Sequence, residues 1–174
     1  MMRRLAVLAT LALAMTACGD DSGSTDPVAW AEKVCKSVEG NLGVLHQQPD
    51  VDPTNPQQAK ESMTAYLQNI ANALGGMIGG IRDAGAPPVD DGAAAVDKLT
   101  TTLDNAKKAI DGAKSQLEQT NVDDPAALGA ALSKAGEDLA TLGELQDPTA
   151  ELESNQQLKE AFDKAETCRR LDAR

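Results

Sequence analysis

Apolar residues recur along this chain at helical intervals, and breaks marked by proline or glycine divide them into five stretches. Ala31, Val34, Val38 and Leu42 advance in steps of three or four, with Trp30 and Cys35 flanking the same face, which predicts a first helix to about Leu45. Met63, Leu67, Ile70, Leu74, Ile78 and Ile81 form a longer stripe that ends before Gly85-Ala86-Pro87-Pro88. Val96, Leu99, Leu103, Ala106, Ile110, Ala113 and Leu117 alternate steps of three and four, the rhythm that keeps one seam facing a partner helix. Leu128, Leu132, Ala135, Leu139 and Leu142 repeat it. In the last stretch Leu158, Ala161, Phe162, Ala165 and Cys168 share a side, with Arg169, Arg170 and Arg174 where a helix dipole favours cations.

Helix starts are written at Asp26-Pro27, Asn55-Pro56, Asp124-Pro125 and Asp147-Pro148. The carboxylate or amide accepts from an orphaned backbone N–H, and proline at the first helical position gives up a donor that the helix could not have used. Residues 46–54, with Pro49 and Pro53 among polar neighbours, suit neither helix nor strand and predict a surface connection. Together the pattern predicts an all-α fold: an up-and-down antiparallel helical bundle of four to five helices, with the last helix returning beside the first. Ala and Leu abound and the only aromatic residues are Trp30, Tyr66 and Phe162, which favours close helix packing over a sheet.

Cys35 and Cys168 sit near the two ends of this helical region and predict a disulfide clasp, with two separate buried thiols as the alternative. Closing a loop of roughly 130 residues would constrain the unfolded chain by about 5 kcal/mol on chain-entropy grounds. Neither cysteine has a Cys or His neighbour at metal or redox-motif spacing.

The first residues carry a different kind of information. Arg3 and Arg4 precede an apolar run from Leu5 to Thr16, the length of a signal-peptide core and too short to span a bilayer. Met15-Thr16-Ala17-Cys18 closes that run and resembles the bacterial lipoprotein lipobox, with Met15 in the place usually held by leucine. The resemblance implies cleavage between Ala17 and Cys18 and a diacylglyceryl thioether on Cys18, often with a further amide-linked acyl chain, enough for stable membrane attachment. The Arg pair fits general secretion better than a twin-arginine signal. The expected organisation is a signal peptide over 1–17, a lipidated cysteine with a Gly/Ser/Asp tether over 18–25, and one helical bundle domain over 26–174. A seven-residue coil spans roughly 15 Å, so the domain should sit close to the membrane.

Charge narrows the partners. The chain has 16 basic and 27 acidic residues; without Arg3 and Arg4 there remain 14 against 27, a net −13. Such a surface repels nucleic acid and anionic lipid, so no nucleic-acid partner is expected.

Candidate chemistry is sparse. Gly75-Gly76-Met77-Ile78-Gly79-Gly80 lies inside a helical stripe, although glycine there costs up to about 1 kcal/mol relative to alanine. Gly75, Gly76, Gly79 and Gly80 are read as a face for close helix approach or a local break, with a hinge or partner surface as the functional reading. A membrane-helix dimer is set aside because Gln68, Asn69, Asn72, Arg82 and Asp83 lie too near. Asp50, Asp52, Thr54 and Glu61 follow calcium-loop spacing, but Asn55 replaces the turn glycine and Pro53 and Pro56 stiffen the segment. Asp90/Asp91 and Asp123/Asp124 read as helix-start or solvating carboxylates.

His46 is the only histidine, and no nucleophile elbow or phosphate loop occurs. No catalytic residue, metal or cofactor is expected. Trp30-Ala31-Glu32-Lys33-Val34-Cys35 and Ala161-Phe162-Asp163-Lys164-Ala165-Glu166-Thr167-Cys168, taken with the lipobox, resemble small secreted actinobacterial lipoproteins. That resemblance implies an envelope protein. The expectation is a non-enzymatic, extracytoplasmic lipoprotein, anchored through lipid on Cys18, whose acidic bundle meets another envelope protein. The alternative is a binding protein that holds a small ligand between helices.

Overall fold

The structure, a computed structural model, describes residues 26–45, 47–52, 54–144, 152 and 154–173. Six helices occur among the described residues: α1 Pro27–Leu45, α2 Pro56–Ala84, α3 Gly92–Gln119, α4 Pro125–Glu144, α5 Gln156–Lys164 and α6 Glu166–Asp172. No strand occurs among them. They form a helical bundle in which α2 packs against α1, α3 and α4, and α1 packs in turn against α5 and α6.

Cross-helix contacts fix the directions. Trp30 meets Gly85 and Ser37 meets Gly76, so α1 and α2 are antiparallel. Arg82 pairs with Asp104 while Lys60 reaches Glu118 and Thr120, which makes α2 and α3 antiparallel as well. Along the last leg, Phe162, Thr167 and Arg170 meet Trp30, Glu32 and Glu39 in that order, so α5 and α6 run parallel to α1. This is the direction an odd final leg takes in an up-and-down chain.

The helix starts follow their capping chemistry. Asn55 Oδ1 accepts from Gln58 N at 3.2 Å, Asp124 Oδ1 from Ala127 N at 3.0 Å, and Asp26 Oδ1 from Val28 N at 2.9 Å. Asp147-Pro148 lies outside the described residues. α3 starts differently: Asp91 adopts the left-handed conformation at φ 56° and makes no side-chain cap bond. Gly92 then packs directly on Pro87, whose Cγ would lie 2.6 Å from any added Cβ. At the other side of this connection Gly85, φ 72°, closes α2 by donating its N–H to Arg82 O, a conformation that glycine adopts without a Cβ clash.

The α3 stripe is buried at all seven expected positions, from Val96 to Leu117. In α2, Leu67, Ile70, Leu74, Ile78 and Ile81 are buried, joined by Ala59, Ala71, Ala73 and Met77. In α4, Leu128 and Ala135 are buried with Ala131, and Leu132 and Leu139 are half-buried; the side chain of Leu142 lies outside the described set. The final stretch differs from expectation. It is two helices, because the backbone at Ala165 is extended (φ −67°, ψ 127°) and redirects the chain before Cys168.

Candidate functional site

The richest cluster of specific contacts joins α1 to the C-terminal leg. Cys35 and Cys168 form a disulfide, with S–S 2.05 Å and Cα–Cα 5.2 Å across a sequence separation of 133. Both cysteines are buried. Cys168 Sγ lies 3.5 Å from the Ala31 carbonyl; as a disulfide sulfur it has no proton to donate, so this is a packing contact.

Beside the bond, Trp30 is 1 % exposed and meets Phe162 edge to face, with ring centroids 5.9 Å apart. Its indole Nε1–H donates to Gly85 O at 2.8 Å. This one side chain therefore touches the last leg and the end of α2. Leu158, Ala161, Ala165 and Thr167 are buried on the same leg, with Leu152, also 1 % exposed, preceding it.

A polar arrangement surrounds this apolar centre. Glu32 reaches across from α1 to cap α6, accepting from Thr167 N at 3.0 Å and Thr167 Oγ1 at 2.6 Å. These two bonds, the hydroxyl's foremost, lower the Glu32 pKa to about 2, with Lys36 contributing from one turn away. Arg170 bonds Thr167 Oγ1 at 3.1 Å and pairs with Glu39 at 3.1 Å and Glu166 at 3.3 Å. At the start of the leg, Asn155 caps α5 through Gln157 N and Leu158 N, and donates its amide to Asp90 O at 2.7 Å.

The four glycines lie within one continuous helix, α2. Gly76 and Gly80 face α1, where an added Cβ would fall 2.6 Å from Asn41 Oδ1 and 1.8 Å from Ser37 Oγ. They are the close-approach face. A Cβ added at Gly75 would lie 3.6 Å from Lys107 Cε of α3, an ordinary contact distance, and Gly79 has open space beside it. Ser37 and Asn41, spaced by four like Gly76 and Gly80, were not singled out from the sequence, yet the matched interval was there to find.

The acidic segments do not gather into a site. Asp52 turns inward on its own loop, accepting from Thr54 N at 2.8 Å and Thr54 Oγ1 at 2.6 Å, and the hydroxyl chiefly lowers its pKa. Gln58 holds the same loop by donating to Asp50 O at 2.8 Å. Among the described residues, no three His, Cys, Asp or Glu side chains are placed to hold a metal ion. His46, Ala17 and Cys18 lie outside the described residues. No described helix is long and apolar enough to cross a membrane. No protein-family model, curated protein or solved structure matches this chain.

Proposed function

We propose that this protein is a non-enzymatic envelope lipoprotein, anchored outside the cytoplasm by acyl chains on Cys18, which presents its acidic helical bundle to another envelope protein. The observation carrying this reading is the Met15-Thr16-Ala17-Cys18 junction placed eight residues ahead of Asp26, the residue that caps the first described helix. Asp26 and Trp30 lie at the same end as Gly85 and the 85–91 connection, so the tether would hold that end to the membrane. The opposite end, formed by 47–52, 54–55 and 120–124, would stand off by the length of α2. Its 29 residues rise about 43 Å at 1.5 Å each.

The net −13 of the mature chain makes a basic patch the complementary surface for a partner. A ligand held between helices at the glycine run would have to displace Asn41 and Ser37, which occupy the space beside Gly76 and Gly80. The test is a Cys18→Ala variant expressed in the native host, with fractionation and in-cell crosslinking. The reading requires wild-type protein in the membrane fraction, loss of lipid labelling and of membrane retention in the variant, and an anchor-dependent crosslink. Unchanged retention of Cys18→Ala would overturn it.

A further inference from the structure

The helices divide into two groups that share α1. α2, α3 and α4 pack on one another, whereas α5 and α6 pack on each other and on α1. At nine and seven residues, α5 and α6 are too short to persist as isolated helices in water. Nor does α6 supply its own cap, since Ala165 gives no side-chain bond and the acceptor for Thr167 N is Glu32 of α1. The leg buries Leu158, Ala161, Ala165, Thr167 and Cys168, with Phe162 half-buried against Trp30. Its ordered state therefore depends on staying next to α1, and the covalent link that keeps it there is Cys35–Cys168.

We propose that α5 with α6 forms a redox-dependent latch: with the disulfide intact the leg covers Trp30 and Ala31, and when the bond is reduced the leg opens while α2, α3 and α4 remain folded. The chemistry is thiol–disulfide exchange with a dithiol reductant. One reductant thiolate attacks a cystine sulfur and forms a mixed disulfide, releasing the other cysteine as a thiolate that takes up a proton. The second reductant thiolate then displaces the remaining cysteine. Two electrons and two protons pass to Cys35 and Cys168, and the reductant leaves as its disulfide. Burial of both cysteines means that the leg must lift in part before attack. With the bond reduced, the leg is held by the Asn155–Asp90 and Arg170–Glu39 contacts, where water competes, and by the Glu32 bonds to the buried Thr167. The inference does not rest on the lipid anchor.

Trp30 is the sole tryptophan and reports on the latch directly. The mature protein is treated with increasing dithiothreitol, with reduction of Cys35 and Cys168 followed by alkylation and mass spectrometry, and with indole emission and amide hydrogen exchange read on the same samples. The latch predicts a red shift of the emission and faster exchange over 156–172 and the first half of α1, in step with reduction, while α2, α3 and α4 keep their protection. The Cys35→Ala/Cys168→Ala protein should show the same pattern without reductant. Complete reduction with unchanged emission and a protected leg would overturn the proposal, as would loss of protection in α2, α3 and α4 together with the leg.

Discussion

Adjacent glycines in one helix have opposite consequences here, because each looks at a different neighbour. Gly79 has nothing within 4 Å of a Cβ, so Gly79→Ala should stabilise the protein by up to about 1 kcal/mol through helix propensity and a less flexible unfolded chain. Gly80→Ala instead drives a methyl into Ser37 Oγ and Cβ and should destabilise by roughly 1–3 kcal/mol. Urea denaturation of the pair measures both, and equal effects would show that the α1–α2 approach is not set by this face. Glu32 makes a prediction in pH. Its carboxyl is lowered from 4.5 to about 2 in the folded protein, so the unfolded chain binds the proton more readily. The stabilisation is fully present above about pH 5 and is lost as the pH falls from there toward 2. Denaturation midpoints across that window should fall more steeply for the wild type than for Glu32→Gln, whose amide does not titrate.

Helix ends depend on single side chains in the same way. Asn55→Ala removes the acceptor for Gln58 N and should lower stability by about 0.5–2 kcal/mol. Lys60 closes the far end of α3, its ammonium donating to Glu118 O at 2.8 Å and Thr120 O at 2.7 Å. Lys60→Met should therefore cost about 0.3–1 kcal/mol, with accelerated hydrogen exchange at the last turn of α3 as the local sign. These elements also show why some of the fold was legible in the sequence. α3 lies against α2 and α4, so its apolar seam is complete and every expected position is buried. The α1 stripe is buried only through Cys35, because beyond it the helix turns Ser37 and Asn41 to the glycine face of α2. The split between α5 and α6 carried no local signal: Lys164, Ala165 and Glu166 are sound helix formers, and the cap for α6 is supplied by a residue more than a hundred positions away. Contacts of that kind, Glu32–Thr167 and Arg170–Glu39 included, are set by tertiary placement, whereas the disulfide was legible because two cysteines near the ends of the helical region have no Cys or His neighbour at metal or redox-motif spacing.

For the whole molecule, the clasp brings the start of α1 and the C-terminal leg together, so one end of the bundle is defined by Asp26, the 85–91 connection and Asn155. On the anchored reading, a fluorophore introduced at Ala86 by an unnatural amino acid should be quenched by membrane-surface quenchers. One at Asp123, about 43 Å away along α2, should not. Equal quenching at both sites would mean that the bundle lies flat. Anchor and clasp are tested together by intact and peptide mass spectrometry of protein recovered from native membranes, before and after thiol reduction. The tethered, disulfide-closed bundle predicts acyl chains on an amino-terminal Cys18 and a gain of two hydrogens on reduction, located at Cys35 and Cys168. An unmodified Cys18 in released protein would contradict the anchor, and free thiols at Cys35 and Cys168 before reduction would contradict the clasp.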